Sequence, residues 1–297
     1  MSDHDIAFVD LRFHGLPQQA CAGVIPTRTG FVLVDCGPAS TLENLLHGLA
    51  GRGLGLSTLH AVLLTHIHLD HAGAAGALAA MVPTAQIYVH GEKGAPHMIE
   101  PGKLLNSVRR LYGDAFEDLL GEMRPIPAPR VTGLAGGETL TIDGRTIEVI
   151  PTPGHAWHHL AYADTETRIV FTGDCAGLRE PGAPDVVPYT PPPDIDLEAM
   201  HASIERLRAA RPAALLLSHF GFVDEPLDHL DLFQRGLIEW SEIARPIAAQ
   251  PLELVQAGER FKQLVCPEGK HQFQATTDLA HCGQGLVRYW RKKLQAA

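Results

Sequence analysis

Short runs of branched and aromatic residues, many stopped by glycine, aspartate or histidine, alternate in this chain with stretches where leucine returns every three or four positions. Alternation of strand-like and helix-like periods is the pattern of an α/β protein. Residues 6–13 and 20–26 read as opening strands, 27–30 as a turn and 31–35 as a further strand. Ser40-Thr41-Leu42-Glu43 has the form of a capping box, opening a helix with Leu42, Leu45, Leu46 and Leu49 on one face, and the glycines between 51 and 55 end it. A strand over 59–64, a ligand-rich loop, a helix near 73–81 and a strand over 86–90 follow.

The rhythm is interrupted between 91 and about 130. Glu92 to His97 is loop-like, residues 104–120 have helical spacing, and Pro125, Pro127 and Pro129 close the segment. It reads as an inserted cap beside the chemistry. Strands resume over 139–142 and 146–150 around an Asp143-Gly144 turn, then over 160–163 and 168–171. Residues 175–194 form a loop rich in proline and glycine. Asp194 or Asp196 caps a helix that runs to about residue 210, and a strand over 213–217 follows. From Pro226 onward helical spacing dominates, with breaks expected at Pro246 and Pro251 and a last helix over 279–294.

The chemistry concentrates after the apolar run Ala61-Val62-Leu63-Leu64. His66, His68, Asp70 and His71 place four metal-capable side chains within six residues, in a loop at the C-terminal end of a strand. Imidazole and carboxylate are the ligands that suit zinc, iron or manganese, so this stretch reads as a metal site.

The segment His66-Ile67-His68-Leu69-Asp70-His71 resembles the signature of the metallo-β-lactamase fold hydrolases. Four further motifs match that family in order. Asp35-Cys36-Gly37 is similar to its early turn, with cysteine where threonine is common. Thr152-Pro153-Gly154-His155 supplies a ligand in His155, Thr172-Gly173-Asp174 a bridging carboxylate in Asp174, and Ser218-His219 a last ligand in His219. The resemblance spans residues 34 to 221. It implies an α/β fold, a four-layer αββα sandwich over 1–225, with 91–130 as an inserted helical cap and 226–297 as a C-terminal helical extension. It also implies two divalent metal ions, zinc first, with manganese or iron as alternatives. His66, His68 and His155 would hold one ion, Asp70, His71 and His219 the other, and Asp174 both. Asp35 and His159 are expected to support the ligands from behind, His158 to be structural, and Asp70 also to accept a proton. His90 and His97 fit no ligand position of the family.

The implied activity is hydrolysis of a small ester, thioester or lactone by a hydroxide shared between two ions. The complete set of five histidines and two aspartates resembles the glyoxalase II and lactonase branches. The alternatives are a β-lactam or phosphodiester hydrolase, or a mononuclear iron enzyme that oxidises sulfur substrates. Quorum-signal lactonases often carry tyrosine three residues after the bridging aspartate, where this chain has Gly177.

Composition narrows the partners. At 297 residues, with 45% apolar and 20% charged residues, the chain can bury a sizeable core. A formal net charge of −10 disfavours nucleic acid, and no apolar run is long enough to span a bilayer. The expected partner is a small-molecule substrate, with no nucleic acid and no membrane; self-association is left open. The first residues lack a secretory pattern, and five scattered cysteines form no framework, so a cytoplasmic location is expected. Cys266, His271, His281 and Cys282 lie within 17 positions, but their spacing matches no usual zinc finger.

Overall fold

A computed structural model describes residues 6–179, 181–267 and 278–296. The first six strands, β1 (Ala7–Asp10), β2 (Cys21–Pro26), β3 (Phe31–Val34), β4 (Leu59–Leu63), β5 (Gln86–His90) and β6 (Val131–Leu134), form one sheet in chain order. The first three are antiparallel, and β3 through β6 are parallel. The second sheet is also sequential: β7 (Thr139–Ile142), β8 (Arg145–Pro151), β9 (Leu160–Asp164), β10 (Ile169–Gly173), β11 (Ala214–Leu217) and β12 (Gly221–Val223). Only β10 and β11 are parallel in it.

Each parallel pair needs a crossover, and helices supply it. These are α1 (Leu42–Ala50), then α2 (Leu69–Ala72) with α3 (Ala75–Met81), then α4 (Ala95–Ile99), α5 (Gly102–Tyr112) and α6 (Phe116–Leu120), and in the second half α7 (Leu197–Ala209). After β12 the chain continues through α8 (Pro226–Ala248), α9 (Leu254–Val265) and α10 (Leu279–Ala296). None of the helices among the described residues is long and apolar enough to cross a membrane.

The continuous apolar runs are explained by burial on both faces. In β3, Val32 and Val34 face the second sheet, whereas Phe31 and Leu33 face helices. In β11, Ala214 and Leu216 face the first sheet, and Leu215 and Leu217 pack beneath α7 and the C-terminal helices. Helix, sheet, sheet and helix therefore form four layers around three apolar clusters. Phe171, 1% exposed, lies between the sheets, and truncating such a side chain to alanine costs about 3–5 kcal/mol.

Several local expectations are corrected. Strand β6 was not anticipated; it makes the 91–130 segment a crossover between parallel strands as well as a wall of the cavity described below. Gly113 splits the helical stretch expected over 104–120, its φ of 57° ending α5. The capping box does not form: Ser40 Oγ donates to the Leu119 carbonyl, and Thr41 Oγ1 to that of Pro38. Pro246 lies inside α8, close to its end at Ala248, where the missing amide breaks nothing. Asp196, not Asp194, caps α7 by accepting from the Ala199 amide at 2.9 Å.

Candidate metal centre

The strand ends deliver the polar residues to one edge of the sandwich. His66 follows β4, His155 lies between β8 and β9, Asp174 follows β10 and His219 follows β11. The stretch after β4 is not all loop. The amides of His71 and Ala72 both donate to the His68 carbonyl, so Leu69–Ala72 coils into one helical turn carrying Asp70 and His71.

All seven expected ligands converge in two groups: His66, His68, His155 and Asp174 in one, Asp70, His71 and His219 in the other. Asp174, fully buried, lies between them. Its Oδ2 is 3.6 Å and 3.3 Å from Nε2 of His66 and His155, and its Oδ1 is 3.3 Å and 3.6 Å from Nε2 of His71 and His219. Nε2 of His66 and both Asp174 oxygens are buried without a hydrogen bond. Orphaned buried polar atoms are costly, and a cation is the partner that such donors share. Ligands about 2.0–2.2 Å from a tetrahedral zinc stand roughly 3.3–3.6 Å from one another. The spacing around Asp174 has that size, so the residues fit divalent ions.

The ring orientations are set from behind. Nδ1 of His155 faces the Tyr189 carbonyl at 3.0 Å, and Nδ1 of His219 that of Gln19 at 2.6 Å. A carbonyl only accepts, so each Nδ1 carries the proton and each Nε2 lone pair points inward. Nδ1 of His71 lies 2.8 Å from Asp35 Oδ2. Asp35 also accepts from the Thr65 amide at 2.8 Å and from the hydroxyls of Thr65 and Ser218. It adopts a left-handed φ of 58°, a conformation that aspartate tolerates better than most residues and that these bonds hold in place. His159 accepts the Asp174 amide on Nε2 at 3.1 Å and faces Thr152 Oγ1 through Nδ1 at 2.8 Å, so it orients the Asp174 turn. Gly173 is required there: its φ is +50°, and a Cβ would stand 2.6 Å from His159 Nε2 and 2.7 Å from Thr65 Oγ1.

The electrostatics favour the ligand forms of His66, His68, Asp70 and Asp174, while the surrounding carboxylates raise His71 and His219. Burial and the neighbouring imidazoles hold His66 well below the usual histidine range, and burial with His155 takes His68 to about 3. Burial alone would raise the Asp174 carboxyl, but His71 and His155 outweigh it and keep it well below the carboxylate range. The same opposition of burial by His71 and His219 brings Asp70 to about 2. His71 is raised, because Asp174, Asp70 and Asp35 overcome its burial. This excess of carboxylate around His71 is what a cation would neutralise.

A cavity of about 1340 Å³ opens over the site. His68 and Asp70 lie on its floor, and Lys93, His97 and Leu104 of the 91–130 segment form one wall. Trp157 and His158 line another side, with Lys93 5.4 Å over the Trp157 ring. Tyr189 stacks on His155 with centroids 5.3 Å apart, and His281 reaches the same cavity from α10. His158 is thus part of the cavity wall. His90 stays outside the ligand groups and accepts the Lys93 amide. Tyr189, Trp157 and His281 had no motif to mark them. Of the tail group, His281 faces the cavity, Cys282 is buried, and His271 lies outside the described residues.

The model of the metallo-β-lactamase superfamily matches residues 17–219, a stretch that contains all seven candidate ligands. The chain belongs to the metallo-β-lactamase superfamily. Among relatives, a hydroxyacylglutathione hydrolase of Aeromonas hydrophila is 31% identical over 276 residues, covering 88% of this chain and 89% of that protein. An atrochrysone carboxyl ACP thioesterase of Aspergillus fumigatus is 26% identical, over 56% of this chain and 43% of its own length. The superfamily fold extends through the C-terminal helices: the metallo-β-lactamase family protein TTHA1429 of Thermus thermophilus superposes with a TM-score of 0.75 at 20% identity, covering 98% of this chain and 94% of that one.

Proposed function

We propose that this protein hydrolyses a small thioester or ester, lactones included, with two divalent ions. It is a hydrolase of the metallo-β-lactamase superfamily. One observation carries the two-ion reading: Asp174 is buried without a hydrogen bond to either oxygen, with one oxygen turned to each ligand group. His66, His68 and His155 would hold one ion, Asp70, His71 and His219 the other, with Asp174 shared. Zinc suits a donor set rich in imidazole, with manganese and iron as alternatives. When bound, such ions polarise an acyl oxygen and make hydroxide available near neutral pH.

The chain's own residues do the positioning. Asp35, the Gln19 carbonyl and the Tyr189 carbonyl fix three imidazoles with Nε2 inward. Asp70 is kept ionised by His71 and His219 despite its burial, the form in which a carboxylate can ligate. No protein nucleophile is required. Cys36 and Cys175 are buried, and burial pushes the Cys175 thiol up to about 12, so neither offers a thiolate. Thioester hydrolysis is supported by the names of two relatives, a hydroxyacylglutathione hydrolase and a thioesterase. It is also supported by a cavity larger than the roughly 300–1,000 Å³ of ordinary small-molecule sites, leaving room for a leaving thiol. The buried thiols suit a reducing, cytoplasmic setting.

The test combines metal analysis with a panel of thioester, lactone, β-lactam and phosphodiester substrates. Thioester or ester turnover that is lost on chelation and restored by zinc is expected. A single iron with dioxygen consumption, or two bound ions without acyl hydrolysis, would overturn the reading.

A further inference from the structure

Residues 186–192 are gripped on two sides. Leu178 and Val187 exchange backbone hydrogen bonds at 2.9 Å and 2.8 Å, tying the stretch to the turn after Asp174. On α8, Gly236 leaves room for Pro188, whose Cγ would stand 3.0 Å from an added Cβ. On α10, Gly285 lets the helix backbone meet the loop backbone. A Cβ there would overlap the Thr190 carbonyl oxygen and stand 2.9 Å from Pro191 C and 3.0 Å from Pro192 N. Thr190 Oγ1 also donates to the Cys282 carbonyl of α10 at 3.2 Å. The residue before Thr190 is Tyr189, whose carbonyl accepts from His155 Nδ1 and whose ring stacks on the His155 ring at an interplanar angle of 21°.

We propose that α10 is the positioning element for His155, acting through Gly285 and Thr190 on the Tyr189 carbonyl. An imidazole that presents Nε2 to a metal keeps its proton on Nδ1, and a fixed acceptor decides both tautomer and ring angle. That acceptor is a main-chain carbonyl one residue from the α10 contact, so a few tenths of an ångström at Gly285 pass directly to His155. The C-terminal extension, outside the family-model match at 17–219, is thereby coupled to a residue within it. The inference rests on the reading of His155 as a metal ligand. His71 is held by Asp35 and His219 Nδ1 by the Gln19 carbonyl, and this loop reaches that group only through the Tyr189 ring, tilted 57° to the His219 ring at 6.1 Å. The coupling is therefore stronger for the group that holds His155, which alone receives both the carbonyl bond and the stacked ring.

The test titrates the metal-stripped full-length chain with cobalt(II) and zinc(II), following heat of binding and the visible cobalt spectrum. Gly285→Ala is expected to weaken one of the two ions by about 10–100-fold, the scale for disturbed outer partners of metal ligands, and to alter its cobalt bands. The other ion, whose His71 and His219 are held by Asp35 and Gln19, should weaken by less. Thr190→Val, which keeps the size and loses the bond to Cys282, should act in the same direction and carries the test if Gly285→Ala does not fold. Gly48→Ala is the stability control: on α1, its Cβ would overlap Val9 Cγ1, away from α10 and from residues 186–192. Cobalt affinities and spectra matching the parent in both loop variants would overturn the proposal. So would equal weakening by Gly48→Ala, which would reduce the effect to lost stability. A parent chain that binds no cobalt would instead overturn the metal-site reading itself.

Discussion

Asp174→Asn separates metal chemistry from folding at the centre of the site. Asparagine keeps the size but removes the charge, and it turns one ligand oxygen into an amide nitrogen that cannot coordinate. In the parent, the two oxygens serve four imidazoles at 3.3–3.6 Å, two on each side. The substitution therefore strikes both groups. A ligand present at about 100–1,000 times its Kd stabilises the native state by about 2.7–4.1 kcal/mol. If the variant binds its weaker ion some 100–1,000-fold less tightly, most of that contribution disappears. In a chain of this size the melting temperature with metal should fall by roughly 4–7 °C. Without metal it should fall less, the loss there being confined to the attraction between the carboxylate and the His71 and His155 imidazoles. Turnover should drop by about 10²-fold or more. Metal content, melting with and without zinc, and kcat are measured on one preparation. Full loading with near-normal kcat would refute the bridging role, and an equal loss of melting temperature with and without zinc would make Asp174 a structural residue.

Asp35→Asn leaves His71 Nδ1 without its carboxylate, and should weaken metal binding by about 10–100-fold while secondary structure by circular dichroism is retained. His281→Ala should raise KM more than it lowers kcat, with metal content intact, since its Nε2 is buried without a partner and the residue lines the cavity; equal KM values across acyl substrates would exclude it from the substrate path. Shortening the 91–130 segment while keeping the crossover to β6 should change KM and substrate range rather than metal stoichiometry, read by kinetics and elemental analysis. Asp164→Asn tests a stabilising pair away from the metal. Burial would raise the Asp164 carboxyl, but Arg145, which meets it through two nitrogens, and Thr167 bring it below its ordinary value. A depressed native pKa stabilises above the unfolded value and is lost as pH falls through the native one. The variant should therefore melt lower than the parent at pH 7, with the gap narrowing below pH about 4.

Local pattern determined much of this protein. Runs such as Phe31–Val34 and Ala214–Leu217 are apolar throughout because both faces of their strands are buried, so they are legible without any partner in view. The ligands that share the stretch 66–71 are equally legible, since spacing alone groups them. The candidate ligands His155, Asp174 and His219 are legible only through the resemblance of their short motifs to those of the superfamily. Elements whose state depends on distant contacts were decided by tertiary structure. Val131–Leu134 becomes a strand because β5 offers it a parallel edge, and Ser40 abandons its capping box because the Leu119 carbonyl comes within 2.7 Å. Trp157, Tyr189 and His281 are brought to one cavity by folding alone, from segments more than 30 and 90 positions apart, and no periodicity encodes such a meeting. The division is physical: periodicity reports which face of an element is buried, whereas a cavity wall is defined by which elements pack side by side.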